Sequence, residues 1–121
     1  MAEIDITRRT FDFSVRIVKL CQVLDQTPGT NRTISNQLLR CGTSIGANVE
    51  EAQAGQSKPD FISKLSIACK EARETLYWLR ILSETHILPA SKMEPITSES
   101  NELVAILTSI IKNALIKKAN D

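Results

Sequence analysis

The chain has 121 residues, a net charge of +1 and an ordinary globular composition with three cysteines, four glycines and four prolines. That length can bury a core without disulfides or metal, and near-zero net charge excludes a global field drawing it to nucleic acid or membrane. No apolar run approaches the ~18 residues of a membrane span, and the N-terminus MAEIDITRRTFDF lacks a signal-peptide core. The expected compartment is the cytoplasm, consistent with an odd cysteine count and no C-x-x-C.

Four helices are predicted in chain order. The first covers about 5–26, with two adjoining apolar strips: Phe11, Val15, Val18, and Phe13, Ile17, Leu20, Leu24, with Cys21 between them. TPGTN (27–31) breaks it. The second covers about 32–54, with a seam of Ile34, Leu38, Cys41, Ile45, Asn48 and Ala52, and stops at Gly55. The third covers about 58–85 and starts at Ser57, with Asp60 three residues on and Pro59 tolerated in the first turn. Its seam runs Phe61, Leu65, Ala68, Ala72, Leu76, Leu79 and on to Leu82, before HILPAS (86–91) ends it. The fourth covers about 92–118, with an irregular first turn expected at Pro95, then an arc of Leu103, Ile106, Leu107, Ile110, Ile111, Ala114 and Leu115. Similar lengths and short connections imply one domain over 1–121, an all-α antiparallel up-down-up-down four-helix bundle.

These helices carry more apolar surface than one bundle seam uses. The second helix has an extra strip of Leu39, Gly42, Gly46 and Val49; the third has Ile67, Trp78 and Ile81. They are the expected contacts between copies of the chain, the alternative being loose patterning with exposed apolar side chains. CGTSIGANVEEAQAG (41–55) bears on the same point. A mid-helix glycine costs about 1 kcal/mol against alanine, and two of them four apart clear one helix face for a close neighbour. Asn48 falls on the seam, so its amide needs partners; Ser44 and Glu51 complete a buried polar set.

The residues of known chemistries do not come together. A di-iron bundle needs two Glu-x-x-His pairs, whereas Glu71 and Glu74 face Glu50 and Glu51 and the single histidine, His86, ends the third helix. Cys21 and Cys69 differ in height by roughly 15 Å at 1.5 Å per residue, too far for one zinc. No catalytic residue, metal or cofactor is expected. The basic residues are better organised. Lys70, Arg73 and Arg80 share a strip of the third helix with Tyr77, Arg16 and Lys19 share the exposed face of the first, and Lys112, Lys117 and Lys118 crowd the end of the fourth. Intrahelical pairing, Lys70 with Glu74 and Arg80 with Glu84, is the competing account. Repetition in an oligomer would turn a three-charge strip into a band.

Residues 37–82 carry Arg40, Thr43-Ser44-Ile45, Ala47-Asn48, Glu50, Glu51, Lys64-Leu65, Lys70-Glu71-Ala72, Glu74 and Trp78-Leu79, and LTSIIKNA closes the pattern at 107–114. This combination resembles the four-helix-bundle family that includes proteins encoded within intervening sequences of bacterial 23S ribosomal RNA genes. It is also similar to the accessory variability protein of diversity-generating retroelements. That resemblance implies a barrel-shaped homopentamer that binds nucleic acid and a reverse transcriptase, with no enzymatic activity. The expectation is therefore a non-enzymatic oligomer that binds RNA or DNA through repeated basic strips. The alternative is a protein-interaction scaffold that does not touch nucleic acid.

Overall fold

Asp5 accepts a hydrogen bond from the Arg8 backbone N–H at 3.0 Å and so opens the first helix, α1 (Ile6–Leu24). The computed structural model describes the backbone of residues 5–120 and the side chains of residues 5–117. Gly29 turns the chain at φ +94°, a conformation closed to most side chains, and α2 (Thr30–Gln53) begins directly after it. The turn is thus tighter than the sequence suggested. Ser57 caps α3 (Lys58–Glu84) through a 3.2 Å bond from the Asp60 N–H, with Pro59 in the first turn. His86 leaves that helix at φ +58°.

The last helix, α4 (Ala90–Asn120), corrects an expectation. Pro95 lies inside a helix that is already regular at Ala90, and the Pro89 carbonyl accepts from the Lys92 and Met93 N–H groups at 3.0 and 3.1 Å. Proline removes one i→i−4 donor in the second turn, and the helix nonetheless continues through it. Lys118, expected at the basic end of α4, has its side chain outside the described residues.

Sequential helices pack along their lengths, α1 with α2, α2 with α3 and α3 with α4, whereas α1 meets α4 sparsely and α1 and α3 stand at opposite corners. This is the antiparallel up-down-up-down bundle. Among the described residues there is no strand. The core is Phe13, Ile17 and Leu24 from α1, Leu38 and Ile45 from α2, Leu65, Leu79 and Leu82 from α3, and Met93, Leu103 and Leu107 from α4. Each such side chain contributes roughly 1.5–3 kcal/mol by leaving water.

The α2 glycines answer their own puzzle, and differently from expectation. A Cβ on Gly42 would stand 2.8 Å from Ile17 Cγ2 and 2.9 Å from Cγ1; one on Gly46 would stand 3.1 Å from the Thr10 carbonyl oxygen. Val49 beside them is completely buried. Gly42, Gly46 and Val49 therefore belong to the seam between α1 and α2 within one chain, not to an outer face. Removing two side chains lets α1 sit close enough for the Ser35 hydroxyl to donate to the Cys21 carbonyl at 3.4 Å.

Candidate functional site

A polar cluster ties two helices together where α2 meets α3. Arg40 reaches across from α2, placing Nη1 3.1 Å from Glu71 Oε2 and Nη2 on Glu74 Oε2. The same Glu74 oxygen accepts from the Trp78 indole N–H at 3.2 Å. The hydrogen bond from Arg40 holds the Glu74 carboxyl below the usual carboxylate range against a smaller opposing effect of burial, and the Trp78 N–H and Lys70 charge act with Arg40. Its hydrogen bond to Glu74 likewise raises the Arg40 guanidinium above its ordinary value. Trp78 in turn meets Tyr77 edge to face, with ring centroids 5.3 Å apart and planes at 76°.

This arrangement reassigns the charges of α3. Glu74 is taken by Arg40 and forms no ion pair with Lys70, and Arg80 forms none with Glu84. Lys70, Arg73, Tyr77 and Arg80 are all exposed. Among the described residues, none of these three cations forms an ion pair, whereas Arg8, Arg9, Arg40 and Lys64 each do. Lys70 and Arg73 overhang an open groove of about 310 Å³ between α3 and α4, lined also by Ser66, Cys69, Thr108 and Ile111. Arg80 borders a second groove that it shares with Glu84 and Glu94. Arg16 and Lys19 are exposed on α1, at the corner opposite α3, so one chain does not join the two strips.

Of the remaining apolar residues expected at contacts between copies, Leu39 is 39% and Ile67 40% exposed. Trp78 and Ile81 are half-buried and lean on the core. Phe11, Val15 and Val18, the outer strip of α1, are exposed too. The buried polar set also changes. Asn48 is half-buried and donates from Nδ2 to the Ser44 carbonyl at 2.9 Å and to Ser44 Oγ at 3.0 Å. Glu51, by contrast, is exposed and pairs with Lys64 at 3.5 Å, because its place on α2 turns it outward toward α3. Cys21, Cys41 and Cys69 are buried and unpaired, and burial pushes the Cys21 and Cys41 thiols up. Among the described residues, no three His, Cys, Asp or Glu side chains gather as a metal site would require, and no helix is long and apolar enough to cross a membrane.

Sequence reading missed the two interhelical arginine clusters. Arg40 was legible in principle, since it and Glu71 lie about equally far from the α2–α3 turn and antiparallel helices bring such positions level. Arg9 was not. It ties α1 to α4 through Glu99, with Nε 3.1 Å from Oε2, and through Glu102 at 3.4 Å, and no turn sets the register of those two helices. Its hydrogen bond with Glu99 raises the Arg9 guanidinium above its ordinary value.

No curated protein matches the chain. A solved structure does. The crystal structure of a protein with unknown function from the S23 ribosomal protein family, from Bacteroides thetaiotaomicron, superposes with a TM-score of 0.82 at 45% identity. The match covers 88% of this chain and 98% of that one. The family model described as 23S rRNA-intervening sequence protein matches residues 2–109. With the bundle, the small-residue seam and the arginine-bridged α2–α3 face in place, the chain belongs to the 23S rRNA-intervening sequence protein family.

Proposed function

We propose that this chain is a non-catalytic, cytoplasmic nucleic-acid-binding protein that works as a homo-oligomer. The observation that carries the reading is the α3 strip. Among the described residues Lys70, Arg73 and Arg80 stand exposed without ion pairs; the acids beside Lys70 and Arg73, Glu71 and Glu74, are held by Arg40, while Arg80 lies by Glu84 and Glu94. Cations left unpaired in this way are available to phosphates, each contact adding to affinity by releasing counterions. Three reduced cysteines fit a cytoplasmic setting.

Assembly supplies the repetition that three charges need. Phe11, Val15, Val18 and Leu39 are exposed apolar side chains of α1 and α2, and α3 carries exposed Ile67 at one end and half-buried Trp78 and Ile81 toward the other, with the Arg40–Glu71–Glu74 cluster between them. Two different apolar faces on one chain suit head-to-tail contact, which closes into a ring when the rotation allows. A pentamer is the closure that the resemblance to the accessory variability protein implies. In such a ring the basic strip, adjacent to the α3 contact, recurs once per subunit.

Light scattering on the purified chain tests the assembly, and a mass of one chain at micromolar concentration would refute it. Titration of structured RNA across a salt series tests the binding. The expected affinity falls steeply with salt, and its absence at ~50 mM salt would leave a protein-interaction scaffold in its place.

A further inference from the structure

We infer that the α3 strip takes unpaired nucleotides, with a base stacked on Tyr77 and the flanking phosphates held by Lys70 and Arg73. This rests on the nucleic-acid reading above and specifies what that site recognises. Tyr77 is 55% exposed, more than any other large apolar side chain described. An exposed tyrosine alone is unexceptional; this one is oriented. Its edge-to-face contact with Trp78 covers at most one face of the ring. Trp78 is in turn fixed by its N–H on Glu74, and Glu74 by Arg40 from the neighbouring helix. The ring is thus presented by a chain of contacts anchored in the α2–α3 seam.

The cations stand at the right places around it. Arg73 lies one turn before Tyr77, Lys70 two turns before, and Arg80 one turn after, a span of ~15 Å at 1.5 Å per residue. Beside Lys70 and Arg73 the open groove toward α4 is lined by Ser66 and Thr108, whose O–H groups donate to the Ile62 and Val104 carbonyls and so leave acceptors for a ribose hydroxyl or base N–H, not donors for phosphate. The Thr108 hydroxyl donates to the Val104 carbonyl at 2.7 Å, so it faces the groove as an acceptor near Cys69. Arg80 shares its groove with Glu84 and Glu94, so phosphate contacts centre on Lys70 and Arg73. A duplex keeps its base faces stacked internally and gains nothing from the Tyr77 ring, whereas a loop or single strand can place a base on it.

The test uses the full chain, fluorescently labelled oligo-U and oligo-dT of about twelve nucleotides and a blunt duplex of the same length, read by anisotropy at low salt. Tyr77→Ala is expected to weaken single-strand binding roughly five- to a hundred-fold and to leave duplex binding unchanged, while Tyr77→Phe, which keeps the ring, retains it. Arg73→Gln should weaken both, and more than Arg80→Gln does. Circular dichroism checks that the exposed substitutions leave the bundle folded. Binding that responds to Arg73→Gln but not to Tyr77→Ala, or that favours the duplex, would overturn base stacking and leave the nucleic-acid reading standing. No binding to any of the three would overturn both. Oligo-U against oligo-dT decides between RNA and DNA.

Discussion

Gly42→Ala is the sharpest test of how α1 seats on α2. At an exposed mid-helix position this change would stabilise the protein by about 1 kcal/mol, because alanine is the better helix former. Here the new methyl carbon would stand 2.8 and 2.9 Å from the two γ carbons of Ile17, a side chain with no exposed surface. Both γ carbons hang from a branched Cβ whose rotamer a helix strongly restricts, so the clash is relieved only by displacing α1. Overpacking of this kind costs about 1–3 kcal/mol, and after the propensity gain the net loss is about 1 kcal/mol. The sign should reverse in the Ile17→Ala background. The γ carbons are then gone, the propensity gain survives, and the coupling between the two sites comes to about 2 kcal/mol. Ile17→Val should not reverse it, since valine keeps both γ carbons. Urea denaturation followed by circular dichroism at fixed protein concentration gives the four free energies of the cycle. If Gly42→Ala stabilises the parent chain and the two substitutions simply add, the glycine does not serve the interior.

Three further outcomes can be checked on the same footing. His86 occupies a left-handed conformation at the end of α3, at φ +58°, so His86→Gly should raise the urea midpoint, by about 1 kcal/mol or somewhat less once the greater freedom of the unfolded chain is counted. Ser100 is fully buried and its hydroxyl has no hydrogen-bond partner among the described residues; Ser100→Ala should stabilise by about 1 kcal/mol, and a loss of that size would show the hydroxyl to be bonded. The Glu74 carboxyl is held below its ordinary value by Arg40, so its contribution is complete above the usual carboxylate range and disappears as pH falls through the lowered folded value. Arg40→Gln should flatten that acid limb of the stability-against-pH curve, and an unchanged limb would place the acid sensitivity elsewhere.

Much of the fold was legible because local signals agreed with the tertiary demand. The Ser57 cap with Pro59 and Asp60, the seam through Leu38, Cys41 and Ile45, and the seam through Leu65, Ala68 and Ala72 all hold in the structure. The failures share a cause. Periodicity shows which side of a helix is apolar or small but not which neighbour covers it. Gly42, Gly46 and Val49 therefore read as an outer strip, although they face α1. Glu51 read as buried because it follows Asn48 by about one turn, yet the ~60° of phase left by a three-residue step is enough to carry it from the seam to an exposed pairing with Lys64. At Pro95 the local cost of a missing donor was outweighed by a helix long enough to absorb it. For the basic strip, the sequence shows that Lys70, Arg73, Tyr77 and Arg80 share one exposed face but not that Arg40 forms the ion pair with Glu74 that intrahelical pairing would give Lys70.

That point bears on how a chain with a net charge of +1 can present a positive face. Net charge counts acids and bases wherever they are, whereas a ligand responds to what lies within about a Debye length, ~8–10 Å. Pairing acts on that local balance. Arg9 is committed to Glu99 and Glu102 on the α1–α4 side, Lys64 to Glu51, and Arg40 to Glu71 and Glu74 beside Lys70 and Arg73. The Arg40 bridge offsets part of the negative charge of Glu71 and Glu74 beside Lys70 and Arg73, and Trp78, which donates to Glu74, meets Tyr77 edge to face. The same three residues, Arg40, Glu74 and Trp78, thus join α2 to α3, lessen the negative charge beside the strip and contact its aromatic ring. On the proposed reading a structural tie and a binding surface are one network, so substitutions at Arg40 should disturb both while substitutions at Arg73 disturb only the second.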